Sequence, residues 1–514
     1  MSDRGNSVRL LLRIALAGAT ARALFQIAAY FLQRFDVRRH HIESSLMIVA
    51  ALALAALLSR RAPDGAAPAA PGVFPWFVLG GALAVAFGLY WPALRIGFLS
   101  DDFVLSDRAM RGELVAPTHE FVRPVPLLIW RLLFMTGAGA AVVHGLNIAL
   151  HGVNGALTAR LARQMGAGQA AALLAALVFL IWPTQIESVA WASGVFDVMM
   201  TTLVLATLNV YFAAGPELRA PRMAALAFLT ILAMLTKETA AALPALLIVA
   251  SLARWTARRP SRSELAALAG VTMTCAAYMF WRVILRPPVG NAPHPLLTRY
   301  AVKELLSRSY GTLAVPFAAE SSTNTPLVAI AFAFAVVLFA VLPIVTGRRG
   351  RLNPAAIAPA IWPAIAATPA LGYLFISANL EGSRYLYLPM VGWAVFLAVT
   401  AVAAAALWRK MMPVVAVGGM ALLTVALLHS RSLLADWSEA SAHRDRILTA
   451  ARAQLPGSCT AAHFTGAPGS YKGAQLFKNG LDEAVRTGTP KPAGNASDDR
   501  PCEFVWDGSK FILR

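Results

Sequence analysis

Apolar residues fall along this chain in long unbroken runs, separated by short polar clusters, and the runs recur over most of its length. A run of about 20 apolar residues, coiled into a helix, matches the hydrocarbon thickness of a bilayer. The pattern predicts helices over 10–32, 42–59, 74–94, 138–162, 168–183, 194–213, 222–236, 239–254, 264–285, 326–345, 355–377, 384–407 and 412–430. Several are short for a straight crossing, so pairs such as 222–236 and 239–254 either continue through their turn or sit where the bilayer is thinned. From Ser432 onward the hydropathy drops, which predicts a soluble tail of about 80 residues, room for a small domain. The expected architecture is an all-α polytopic membrane protein with roughly 11 to 13 transmembrane helices. Its parts are an N-terminal helical hairpin (1–62), an Ala/Pro-rich linker (63–73), a main transmembrane bundle (74–431) and a small C-terminal domain (432–514).

Composition supports the membrane reading. Of 514 residues, 58% are hydrophobic and 14% charged, with a mean hydropathy of +0.61, where soluble domains carry roughly 25% charge. The net charge of +19 would suit a nucleic-acid partner if it were spread over one surface, but the basic residues sit between apolar runs. Arg60 with Arg61, Arg160 with Arg163, Arg219 with Arg222, the 254–262 cluster, 348–351, and Arg409 with Lys410 fall on every second connection. Such connections face the cytoplasm, and no nucleic-acid partner is expected. The other connections face the opposite compartment: Asp101 and Asp102, the turn from Trp182 to Asp197, the turn at Lys237, 286–325 and 379–384. Arg34, Arg38 and Arg39 break this alternation, so the first two helices read as an interfacial hairpin or an added module. Arg13 and Arg22 interrupt the first apolar stretch, which has no convincing cleavage site and is expected to remain as an anchor. Cys275 lies in an apolar run, as a small hydrophobe does. Cys459 and Cys502 flank the polar tail; they form a disulfide if the tail is outside the cytoplasm and are free thiols if it is inside.

The outward connections hold the candidate chemistry. In Gly97-Phe98-Leu99-Ser100-Asp101-Asp102-Phe103 two carboxylates directly follow an apolar run, an expensive placement at a membrane boundary. They either begin a solvated loop or act, by taking a proton from a hydroxyl or by ligating a divalent cation together. No metal or other cofactor is assigned. Phe103, Val104 and Leu105 read as a loop held against the membrane surface. Arg123-Pro124 leads into a short interfacial helix whose Arg131 reads most simply as snorkelling. His144, Asn147, His151 and Asn154, spaced 3, 4 and 3, share one face of an apolar helix and must face its interior. Interhelical hydrogen bonding is their plain reading, and joint metal ligation by the two histidines is excluded by their separation of about 10.5 Å along the axis. Glu187 and Asp197 either shape a pocket or cap helices. Lys237 and Glu238 either pair with each other or leave an ammonium for a lipid phosphate. Glu381 to Pro389 offers Arg384, whose guanidinium suits phosphate oxygens, with Tyr385 and Tyr387 as pocket or aromatic belt.

In order, these blocks resemble the GT-C glycosyltransferases, most closely the membrane part of the transmembrane and tetratricopeptide-repeat O-mannosyltransferases and their bacterial relatives. The matching blocks are Ser100-Asp101-Asp102; Arg123-Pro124; His144-x-x-Asn147-x-x-x-His151; Trp182-Pro183-x-x-x-Glu187 with Ser193-Gly194-x-x-Asp197; Thr236-Lys237-Glu238; and Glu381 to Pro389. The resemblance covers roughly 74–437 and implies a GT-C fold. It further implies inverting sugar transfer from a polyprenyl-phosphate donor on the non-cytoplasmic face to the hydroxyl of a protein, glycan or lipid acceptor. Asp101 or Asp102 would be the base, with Lys237 and Arg384 stabilising the departing phosphate and Arg123 and Tyr385 completing the donor site. His144, Asn147, His151, Glu187, Asp197, Glu238 and Glu381 would support the pocket. An Ala- and Arg-rich composition fits a high-GC bacterium, hence an inner membrane, an undecaprenyl carrier and an active site and C-terminus facing the periplasm. The tail carries no tetratricopeptide repeats. A nonenzymatic flippase of lipid-linked sugars, and an assembly protein keeping the fold, are the competing classes.

Overall fold

The computed structural model describes residues 76–115, 122–213, 219–282, 308–317, 357–370, 374–407, 412–454, 461–486 and 501–513. The hairpin of 1–62, the linker of 63–73, the run at 326–345 and Cys459 lie outside the described residues. Apolar runs become helices because a helix satisfies every backbone polar group within itself, which lipid demands. Five helices are long and apolar enough to cross a membrane, and a sixth results if Gln169–Ile181 and Pro183–Ala190, bent by 54°, form one span. This count is made of the described residues, and the expected spans at 10–32, 42–59 and 326–345 lie outside them. Of the expected spans that are described, Ala220–Thr236 and Glu238–Leu252 are shorter apolar helices.

The bundle is assembled around α4 (Ala140–Gln164), which packs against α1 (Trp76–Tyr90), α5 (Gln169–Ile181) and α7 (Val195–Ala213). Between α1 and α4 lie α2 (Asp101–Arg111) and α3 (Pro124–Met135). Between α5 and α7 lies the short α6 (Ile186–Ala190). Then α8 (Ala220–Thr236) packs on α7, α9 (Leu243–Ala257) on α10 (Arg262–Phe280), and α11 (Ile357–Ala367) on α12 (Tyr387–Leu407), which returns to α5. The predicted polar stripe is wholly buried, and three of its four side chains bridge helices. The Asn147 amide donates to the Trp191 carbonyl at 2.9 Å and Asn154 to that of Val198 at 3.0 Å. His151 Nε2 donates to the Leu180 carbonyl at 3.0 Å, which leaves Nδ1 to accept from the Tyr387 hydroxyl at 2.8 Å. Tyr387 is therefore a core residue, away from any interfacial belt. Large apolar side chains such as Trp76, Phe77, Met135 and Met273 are at least 70% exposed, a surface suited to lipid.

Three segments depart from the sequence reading. The stretch after Ser100 is the amphipathic helix α2, and its apolar side meets protein instead of the membrane surface: Phe103 stacks on Phe477 at 6.2 Å. Arg131 does not snorkel; its guanidinium donates to the carbonyls of Ala109 and Met110 at 3.2 and 3.0 Å. Those acceptors are carbonyls of the last turn of α2, where a cation also complements the helix dipole. The turn from Trp182 to Asp197 is buried throughout and folds inward as 3-10 and α-helical pieces.

The final helix, α13 (Met412–Ala453), runs unbroken across the expected boundary at 431/432. Its 42 residues span about 63 Å, twice the hydrocarbon thickness, so its polar half extends past the apolar half without a change in backbone. Beyond it, β1 (Ala461–Thr465) pairs in parallel with β4 (Pro501–Trp506), and β4 pairs antiparallel with β5 (Phe511–Leu513). A separate hairpin joins β2 (Ser470–Tyr471) and β3 (Ala474–Gln475), followed by α14 (Leu481–Arg486). Phe464, Phe504 and Phe511 form the small core of this region.

Candidate active site

A cavity of about 400 Å³ opens where α2, the inward turn, Lys237, Arg384 and the tail meet. Asp101, Arg123, Asp197, Lys237 and Arg384 line it together with Arg108, Ser193 and Asn479. Residues as far as 378 positions apart thus share one chamber. The basic ends of the helices lie elsewhere: Arg254 donates to the Phe212 carbonyl at the far end of α7 and pairs with Glu264 at 3.1 Å.

The two adjacent aspartates have different surroundings. Successive residues at a helix start point about 100° apart, so one faces the cavity and the other faces the bundle. Asp101 is partly exposed, and its Oδ1 accepts from the Asn479 amide at 2.7 Å. Asp102 is fully buried and does not line the cavity. Its Oδ2 accepts from the Leu99 N–H at 2.8 Å, and its Oδ1 from the Ser193 N–H at 2.7 Å and the Ser193 hydroxyl. Burial pushes the Asp102 carboxyl up to about 7, although the Ser193 and Leu99 donors pull it down. The pair therefore does not converge on one cation, and the described residues contain no group of three or more His, Cys, Asp and Glu able to hold a metal.

The loop before α2 is held from every side. Ser100 has φ 49° and ψ −120°, a conformation that costs a non-glycine residue about 1–3 kcal/mol. Its N–H donates to the Leu476 carbonyl at 2.8 Å. Trp191 Nε1 donates to the Leu99 carbonyl at 3.1 Å, and Arg444 of α13 to that of Phe98 at 3.0 Å. Gly97 allows this approach, since a Cβ there would lie 1.8 Å from an Arg444 nitrogen. Gly480 does the same for the tail, where a Cβ would lie 2.5 Å from the Ser100 oxygen.

The cations are paired across the fold. Lys237 Nζ meets Asp197 at 2.5 Å, Arg384 meets Glu187 at 2.8 Å, and Arg123 meets Glu238 at 2.8 Å. The adjacent Lys237 and Glu238 do not pair with each other. The backbone at Lys237 is extended, with φ −162° and ψ 138°, which sends neighbouring side chains to opposite sides. Glu187 also accepts from the Arg384 N–H at 2.9 Å. The Tyr385 ring lies beneath both Lys237 and Arg384, at 5.2 and 5.1 Å, and Trp191 lies 4.9 Å from Arg384. These faces favour cations and exclude water.

Other predicted residues stand apart from the cavity. His144 is buried beside the Ile96–Gly97 backbone, His151 belongs to the core, and Asn147 reaches the site only through the Trp191 and Ala192 carbonyls. Glu381 pairs with Lys478 of the tail. Cys502 is disulfide-bonded, while Cys275 is free and buried. The sequence reading gave no role to Arg108, Trp191 or Asn479 and named Ser193 only within a matching block. Arg108 was detectable as the partner of Asp101 at i+7 on one helix face; nothing local in the sequence signals Asn479.

No protein-family model and no curated protein matches this chain. Solved structures do resemble it. The Archaeoglobus fulgidus oligosaccharyltransferase, in complex with zinc and sulfate, is 13% identical with a TM-score of 0.44, over 74% of this chain and 55% of its own. ArnT from Cupriavidus metallidurans, bound to undecaprenyl phosphate, is 15% identical with a TM-score of 0.38, over 82% of this chain and 86% of its own. The chain thus spans about half the length of the oligosaccharyltransferase it matches.

Proposed function

We propose that this chain is a multi-pass membrane glycosyltransferase that moves a sugar, with inversion, from a polyprenyl-phosphate donor to an acceptor hydroxyl. The observation that carries the reading is the single cavity in which a partly exposed Asp101 shares walls with Lys237, Arg123 and Arg384. Asp101 accepts the proton of the acceptor hydroxyl as its oxygen attacks the anomeric carbon. The bond from that carbon to the phosphate oxygen breaks on the opposite face, and the polyprenyl phosphate leaves with the electron pair. Lys237 and Arg384 receive the developing phosphate charge, already held in place by Asp197, Glu187 and the Tyr385 ring, so little reorganisation accompanies the step. Asp102 acts through Ser193 and Leu99 as an anchor of α2, and Asn479 orients the Asp101 carboxylate. The disulfide at Cys502 supports an oxidising compartment for the tail, and with it a site on the periplasmic side of a bacterial inner membrane. An undecaprenyl carrier and a protein, glycan or lipid acceptor complete the proposal.

The test is sugar release, by full-length protein in vesicles, from a panel of labelled polyprenyl-phosphate sugars supplied with candidate acceptors. Asp101→Asn is expected to lower turnover by about 10²–10⁴-fold with donor binding retained. Normal turnover in Asp101→Asn removes its role as base. Donor flipping without turnover by the wild type replaces the transferase with a transporter.

A further inference from the structure

Ion pairing within the cavity leaves one cation without a carboxylate beside it. Lys237, Arg384 and Arg123 each face a carboxylate, whereas Arg108, which lines the same cavity, faces none at ion-pair distance among the described residues. Its Nη2 donates to the Glu113 carbonyl at 3.4 Å, and its buried Nε has no partner. The Glu113 carboxylate, which acts on Arg108 from farther off, is held by Arg111 at 3.3 Å. Arg111 also pairs with Asp107 at 2.8 Å and so already provides the exposed charge that complements the C-terminus of α2. Burial lowers the Arg108 pKa, as expected of a charge without full compensation.

Position adds meaning to this missing ion pair. Asp101 and Arg108 lie seven residues apart on one face of α2, with Val104 and Leu105 between them on the cavity wall, a separation of about 10.5 Å along the axis. A guanidinium with a free edge is matched to the two oxygens of an oxyanion. We infer that Arg108 receives an oxyanion group, phosphate or carboxylate, of a bound substrate, forming an anion subsite on the α2 wall of the cavity. That group is either the phosphate of the lipid donor or an anionic group on the acceptor about 10 Å from its reacting hydroxyl. The inference rests on the transferase reading for the identity of these two substrates; its test requires no turnover, so the two fail separately.

Full-length protein in lipid nanodiscs is titrated with polyprenyl monophosphate, then with inorganic phosphate at saturating polyprenyl monophosphate. Arg108→Gln is compared with Arg111→Gln, which removes the same charge from the same helix outside the cavity. Arg108→Lys keeps the charge and guards against misfolding. The expected result is a tenfold or greater loss of affinity in Arg108→Gln, a smaller loss in Arg108→Lys and none in Arg111→Gln. Loss for the lipid identifies the donor phosphate, and loss confined to inorganic phosphate identifies an anionic acceptor. Equal binding by Arg108→Gln and wild type, an equal loss in Arg111→Gln, or a wild type that binds neither probe overturns the inference.

Discussion

Asp101 and Asp102 are neighbours in sequence, yet the start of α2 turns one to solvent and the other into the bundle. The buried carboxyl has a measurable signature. Its pKa is raised from 3.8 to about 7 by burial, so the folded state favours the protonated form. That contribution to stability is complete below pH 3.8 and is lost as pH rises through about 7, by an amount on the order of 4 kcal/mol. The melting temperature of wild type should therefore fall between pH 5 and pH 8 relative to Asp102→Asn, which has no proton to lose there. Parallel pH profiles of the two proteins would refute the assignment. Lys237 and Glu238 show the same effect in extended backbone, where adjacent side chains diverge to Asp197 and Arg123. Residue types and spacing made these positions legible as chemistry. Their partners were not legible, because each pair joins helices far apart in the chain.

At the scale of elements, the segment from β2 to α14 is the least expected component. It contributes Leu476 and Asn479 to the Ser100–Asp101 corner, Gln475 to Glu187 at 3.4 Å, and Lys478 to Glu381. Under the transferase reading, Asn479 is a positioning residue for Asp101. Asn479→Ala should lower kcat on the order of tenfold, the worth of one charge-assisted hydrogen bond, while leaving donor affinity unchanged. Asn479→Ser, which keeps a donor on a shorter arm, should recover part of the loss. A change in donor affinity with kcat intact would assign the segment a binding role instead. The hydropathy falls at Ser432, but α13 continues to Ala453. Backbone hydrogen bonding extends a helix regardless of the solvent it enters.

At the scale of the whole molecule, a membrane bundle and a polar tail meet at one chamber, so tail integrity and site integrity should be linked. Cys502→Ser is expected to destabilise the tail by about 2–4 kcal/mol, visible as an earlier first transition in a thermal melt, and to lower turnover with it. A reduced melting temperature with full turnover would separate the tail fold from the site. Labelling of Cys502 without reductant would disprove the bridge. The sequence by itself determined that the chain is a helical membrane protein, and it named the blocks that are candidates for its chemistry. Hydropathy and charge are local properties, and the bilayer acts on them segment by segment. Only the tertiary structure decided which aspartate meets the cavity, which carboxylate faces each paired cation, that Arg108 has no ion-pair partner among the described residues, and that the tail reaches the cavity through Asn479. Those are relations between side chains brought together by packing, and no window along the chain contains both partners.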